Sequence, residues 1–184
     1  MILAIDTSAA QCAVAVVDDE RVAVRRVEMT RGHAEALFPM IEEVLAELGA
    51  SYSDLTRVAV CTGPGSFTGL RVGISAARGL ALGRGIPAVG VTRFEAIAAA
   101  MGGPCSVLIP SRGGNVFVQD FDASLSAMGA PRIEQGEAGE LLPDPVVIAR
   151  LALGREPGER PAPLYLRDAD AALPREAPPV ILDA

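Results

Sequence analysis

Gly63-Pro64-Gly65-Ser66-Phe67-Thr68-Gly69-Leu70-Arg71 follows a short apolar run, Val58-Ala59-Val60-Cys61, and opens an apolar, Gly/Ala-rich segment that reaches Leu82. That order predicts a strand, a tight glycine turn and a helix N-terminus. A helix start presents unpaired backbone N–H groups and the positive end of a dipole. Glycines let a phosphate, or another stretch of backbone, come close. The same residues also fit a plain turn, with Ser66 or Thr68 as the helix N-cap.

Outward from this turn, hydrophobic spacing sets the other elements. Residues 2–6, 12–17 and 22–28 read as strands, and the polar turn Asp18-Asp19-Glu20 makes the second pair an antiparallel hairpin. Residues 33–48 read as a helix, with Leu37, Ile41, Val44, Leu45 and Leu48 on one face and Gly49 as its stop. Pro39 inside this pattern predicts a kink or a later true start. Phe38 and Met40 widen the apolar surface, either as extra core or as a face for a partner. Strand 57–61, helix 67–82, strand 87–91 and helix 93–101 follow. Gly69, Gly73 and Ala77 recur every fourth residue, which allows close approach of a second backbone, either this chain's own sheet or a partner. Gly102-Gly103-Pro104 marks a boundary between a lobe at 1–103 and a smaller lobe at 104–184. The second lobe has strands near 105–109 and 115–121, little pattern over 122–145, a short helix at 146–153 and a Pro- and charge-rich stretch after 154. Periodicity alone supports a mixed α/β architecture.

Composition narrows the function. Half of the 184 residues are hydrophobic, which is the composition of a globular chain. The net charge is −7, a poor basis for gripping RNA unaided, because phosphate binding relies on clustered Lys and Arg. A nucleic-acid role therefore requires a partner that holds the RNA. Every basic side chain is Arg; without lysine there is no Walker-type phosphate lysine and no Schiff base in this sequence. Cys12, Cys61 and Cys105 are scattered through apolar stretches and read as reduced, buried thiols of a cytoplasmic protein. No apolar run reaches the roughly 18 residues of a membrane span, so no membrane partner is expected.

Ile2-Leu3-Ala4-Ile5-Asp6-Thr7-Ser8 is an apolar strand that ends in a carboxylate and two hydroxyls. Together with the glycine motif it resembles the TsaB (YeaZ) family of bacterial tRNA threonylcarbamoyladenosine biosynthesis proteins. His33-Ala34-Glu35-Ala36-Leu37-Phe38-Pro39-Met40-Ile41 is similar to that family's first helix, and Pro163-Leu164-Tyr165-Leu166-Arg167 to its C-terminal motif. The likeness is close over residues 1–100 and sparse beyond. It implies an actin-like (ribonuclease H-like) ATPase fold of two lobes, each a mixed sheet flanked by helices, the second reduced. It implies a non-catalytic scaffold for the complex that makes N6-threonylcarbamoyladenosine at tRNA position 37. The implied partners are a TsaD-type catalytic subunit, a TsaE-type ATPase and, for the chain alone, a second copy in a homodimer, with tRNA met only through the complex. The expected contact residues are His33, Phe38, Met40, Ile41, Leu45, Gly69, Leu70, Gly73 and Ile74.

Asp6-Thr7-Ser8 also resembles, in abbreviated form, the first phosphate motif of actin-like kinases, and a strand-ending Asp equally caps a turn. Asp6, Thr7, Ser8, Gly63, Gly65, Ser66 and Thr68 are thus a candidate vestigial nucleotide site, with no cofactor expected in this chain alone and ATP or ADP at the partner junction. In the segment Val107 to Phe117, Pro110-Ser111-Arg112 stands where the family usually has Asp-Ala-Arg, so a cleft carboxylate is missing. His33 is the sole histidine and is read at an exposed helix start, as a polar first-turn residue or part of the partner face. No metal site is expected, since one histidine and three scattered cysteines lack ligand spacing. Two enzyme readings stand beside the scaffold: a small actin-like-fold ATPase or phosphotransferase, and a peptidase, whose triad would have to run through His33.

Overall fold

The computed structural model describes residues 1–166, so Arg167 and the end of the Pro-rich stretch lie outside the described residues. Leu3 and Ile5 point to one face of β1 (Ile2–Asp6) and Ile2 and Ala4 to the other, and all four are buried. A strand covered on both faces belongs in the middle of a sheet. It pairs antiparallel with β2 (Gln11–Asp18), which continues antiparallel to β3 (Arg21–Glu28), and parallel with β4 (Arg57–Cys61), which continues parallel to β5 (Ala88–Val91). The order β3-β2-β1-β4-β5 is a mixed five-stranded sheet, the actin-like (ribonuclease H-like) arrangement.

Two helices cover one face. α1 (His33–Glu47) buries Leu37, Ile41, Val44 and Leu45, and Gly49 turns the chain away with φ +64°. The helix begins at His33 and runs through Pro39, so no later start occurs. Pro39 forfeits one backbone bond to the carbonyl of Glu35, and both residues are exposed, where water replaces it. α2 (Phe67–Arg84) buries Leu70, Ile74, Ala77 and Ala81. Ser66 is its N-cap, accepting the Gly69 N–H at 3.2 Å, which decides between the two hydroxyls that the sequence offered.

The opposite face is closed by the second half of the chain. α3 (Arg93–Met101), started by a Thr92–Glu95 capping box, adds Ala96. α4 (Pro145–Leu153) lays Ile148, Ala149 and Ala152 on Ile2, Ala4 and Ala59. Arg57 on β4 donates to the Ala152 carbonyl of α4 and, at 2.6 Å, to Arg155 O; Arg155 reaches back to Gly90 O at 2.8 Å and Glu95 at 2.7 Å. Residues numbered beyond the expected boundary at 103 therefore complete the core of the first sheet.

The second sheet is small and departs from the mixed sheet expected for that lobe. β6 (Cys105–Ser111), β7 (Asn115–Phe121) and β8 (Arg132–Gln135) are antiparallel throughout, because hairpins and no crossover connect them. Phe94 and Ile97 of α3 pack on its Val107, Ile109 and Phe121. β8 lies in the stretch where the sequence shows little pattern. All four of its residues are exposed, so it carries no burial signal and is held by pairing with β7.

Candidate functional site

Parallel pairing puts the ends of β1 and β4, and the loops that follow them, side by side. Asp6-Thr7-Ser8 and the glycine turn therefore meet, and the three polar residues are buried. Asp6 Oδ1 accepts from Ser8 N at 2.9 Å and Ser8 Oγ at 2.6 Å, and Oδ2 accepts from Gln11 Nε2 at 2.8 Å. Thr7 Oγ1 donates to Gly69 O at 2.7 Å. Ser66 N donates to Ser8 O at 2.8 Å.

The glycines serve this contact. A Cβ on Gly65 would run into the Ser8 carbonyl, one on Gly69 into the Thr7 carbonyl, and one on Gly73 into Thr7 Oγ1. Close approach of backbone to backbone is thus what these positions provide. The carboxylate and hydroxyls expected to meet a phosphate meet the chain itself, and the turn-capping reading of Asp6 describes the observed geometry. Beneath them Cys61 is buried, and burial, with the Asp6 charge second, pushes its thiol well above the ordinary value. Cys12 is pushed up to about 11 by the same two causes in the same order. Neither thiol is a ready nucleophile, since the thiolate is the reactive form.

The expected contact residues separate sharply. Met40, Ile41, Leu45, Leu70 and Ile74 lie in the chain's own core, and Gly69 and Gly73 are buried against Thr7. None of these seven presents a surface to a partner, because the inner faces of α1 and α2 are already covered by their own sheet. His33 is 7% exposed rather than at an exposed helix start. Its Nε2 has no hydrogen-bond partner among the described residues. Phe38, 43% exposed, is the one that faces out.

Phe38 stands on an apolar groove of about 570 Å³ between α1 and α2, at the edge of the core. Val72, Ala76, Gly79, Leu80 and Gly83 line its α2 side, and Ala34 and Leu37 its α1 side. The α2 residues recur at three- and four-residue spacing, as a second stripe offset from the buried one. A Cβ on Gly79 or Gly83 would meet open space, so these two glycines leave the groove wide. Sequence reading missed this stripe because it selected the more apolar face, which is the core.

A larger cleft, about 930 Å³, opens between the two sheets. Its wall includes Gly65, Ser66 and Thr68 at the start of α2, Pro110, Ser111 and Arg112 at the end of β6, and Leu164, Tyr165 and Leu166. The last segment is strapped down by Leu164 N to Thr62 O at 2.8 Å, and the Tyr165 ring lies 5.3 Å from that of Phe67. Among the described residues no group of three or more His, Cys, Asp or Glu side chains is placed to hold a metal ion. No described helix is long and apolar enough to cross a membrane.

Comparison with known proteins follows the same lines. Residues 27–129 match the family model described as "TsaD: tRNA N6-adenosine threonylcarbamoyltransferase". The tRNA threonylcarbamoyladenosine biosynthesis protein TsaB of Escherichia coli (strain K12) is 33% identical over 192 aligned residues, covering 94% of this chain and 81% of that protein. The TsaB of Haemophilus influenzae is 38% identical over 100 residues, 54% of this chain and 42% of its own. A crystal structure from Pseudomonas aeruginosa, of a protein described by its similarity to peptidase YEAZ, superposes with a TM-score of 0.79 at 23% identity, covering 90% of this chain and 99% of its own, a likeness of fold.

Proposed function

The chain belongs to the TsaB (YeaZ) family, and from that premise we propose that it acts in tRNA threonylcarbamoyladenosine biosynthesis as a non-catalytic subunit that pairs with a TsaD-type catalytic subunit. The observation that carries this reading is the apolar groove between α1 and α2, with Phe38 exposed beside it. An exposed apolar groove between two helices suits the helices of another chain. The abbreviated phosphate motif supports the non-catalytic half of the proposal, since its carboxylate and hydroxyls bond within the chain.

In this reading the groove receives the matching helix pair of the TsaD-type subunit, forming a helical bundle. Alone, the same groove takes a second copy in a symmetric dimer. A TsaE-type ATPase joins the pair, ATP or ADP sits at the junction rather than in this chain, and tRNA is held by the assembled complex in the cytoplasm. The net charge of −7 suits a subunit that leaves the RNA to its partners.

Light scattering after size exclusion, on this chain alone and mixed with the TsaD-type protein of the same organism, tests the proposal. A one-to-one complex that replaces a homodimer supports it. Two folded proteins that elute separately overturn it, as does ATP turnover by the isolated chain.

A further inference from the structure

The chain from Glu137 to Pro143 runs from β8 of the small sheet to α4 on the large one, outside any helix or strand. Among the described residues it makes no backbone–backbone hydrogen bond. Apolar burial adds little, since Leu141 and Leu142 are exposed and only Pro143 is buried. Side chains of the large-sheet half hold it instead. Arg93, at the start of α3, donates to Glu140 Oε1 at 2.5 Å and to Leu141 O at 2.7 Å. Gln11, at the start of β2, donates to Pro143 O at 2.9 Å. Arg26 of β3 donates at 2.6 Å to Asp144, the N-cap of α4.

The Arg93 contact is unevenly made. Arg93 is 2% exposed and its Nε has no hydrogen-bond partner among the described residues, while the Glu140 side chain that compensates its charge is 43% exposed. A buried cation depends on its counter-charge, whereas a half-exposed carboxylate is readily solvated, so this contact is where the strap can part.

Both buried anchors continue to the N-terminus of α2. Arg93 N donates to Gly63 O at 2.6 Å, and Gly63 lies so close to α2 that a Cβ on it would stand 2.9 Å from Leu70 Cδ1. Gln11 Nε2 also donates to Asp6 Oδ2 at 2.8 Å, and Asp6 Oδ1 accepts from Ser8. The Ser8 carbonyl accepts at 2.8 Å from Ser66, the N-cap of α2. Two routes of direct contact thus join residues 137–143 to the helix that lines the apolar groove.

We propose that residues 137–143 form a releasable strap latched by Arg93 and Glu140, and that its state is coupled to pairing at the groove between α1 and α2. The latched strap favours association, and association favours the latched strap, because coupling between two sites is reciprocal. The coupling rests on the subunit reading proposed above; the latch does not.

Two variants undo the latch from opposite sides. Glu140→Gln keeps the shape and removes the compensating charge, and Arg93→Met removes the buried charge and keeps an unbranched side chain. Cleavage of the native full chain by a glutamate-specific protease after Glu137, a site both variants keep, reads the strap. Such cleavage follows the population of the open form when opening and closing are fast. It is expected to quicken about fivefold or more in both variants, and urea unfolding checks that both are folded. Calorimetry is expected to show pairing with the TsaD-type protein weakened by about fivefold or more in both. Bound partner is expected to slow cleavage of the wild type, and the same protein mixed with Gly79→Arg, altered in the groove, is expected to leave cleavage unchanged. Wild-type cleavage rates in both variants overturn the latch. Faster cleavage with unchanged pairing in both overturns the coupling. A wild-type chain that pairs with no TsaD-type protein overturns the subunit reading and the coupling together, and the cleavage rates then decide the latch alone.

Discussion

At the scale of the residue, Gly69 shows how a backbone requirement imitates a ligand site. It lacks a Cβ because the Thr7 carbonyl occupies that space. Gly69→Ala should therefore destabilise the protein by roughly 2 kcal/mol or more, a steric cost that a core glycine cannot relieve without moving backbone. Urea unfolding reads the loss. Gly73→Arg fails for the same reason: its Cβ would strike Thr7 Oγ1, so it reports on folding before it reports on any partner. Asp6→Asn should cost about 2–3 kcal/mol, since one amide nitrogen would then oppose the Gln11 amide or the Ser8 donors in a buried cluster. Unfolding midpoints of Asp6→Asn and wild type check this. Cysteine chemistry gives a pH prediction. The folded Cys12 thiol stands at about 11 against an ordinary 9.0. Below pH 9 both folded and unfolded states hold the proton, and its contribution to stability is intact. As pH rises towards 11 the unfolded state loses protons first, so stability falls across that window. The buried Cys61 thiol acts in the same direction. Urea midpoints should drop from pH 8 to pH 10.5, and drop less in Cys12→Ala. The Asp-Thr-Ser and glycine motifs were visible in the sequence, but their function was not, because a glycine admits a phosphate and a carbonyl equally well.

At the scale of the element, α2 carries two stripes with different destinations. Leu70, Ile74, Ala77 and Ala81 bury themselves on the sheet, while Val72, Ala76, Gly79 and Gly83 line the open groove. Gly79→Arg separates folding from pairing. Its Cβ meets open space, and replacing an interior helical glycine should stabilise the helix by up to about 1 kcal/mol. The variant should unfold at equal or higher urea concentration, yet fail to form the homodimer and the pair with the TsaD-type protein. Wild-type association of a folded Gly79→Arg would place the partner surface elsewhere. Helical periodicity made the buried stripe legible, and α1 and α2 stand within a few residues of their expected bounds. Periodicity does not say which stripe is inside, because small residues pack equally well on a sheet or a visiting helix. The strand β8 had no such signal, since an exposed edge strand is held by backbone bonds that any residue except proline supplies.

At the scale of the whole molecule, the two halves of the chain share one core. α4 covers Ile2, Ala4 and Ala59 on the large sheet, and Arg57 and Arg155 bind the halves by their carbonyls. A fragment ending at residue 103 should expose that face and aggregate, while the full chain should unfold in a single transition; size exclusion and urea titration of the two check it. An isolated, monomeric, cooperatively folded fragment 1–103 would show that the first lobe needs no cover. The sequence by itself determined the strands and helices other than β8, the glycine turn and the family, because these depend on local periodicity and on short contiguous motifs. Only the tertiary structure decided which polar residues are occupied and which are open. Thr7 meets Gly69 across 62 residues of chain and Arg71 meets Tyr165 across 94. Whether a side chain is a ligand or a strut depends on such distant neighbours, and local spacing does not encode them.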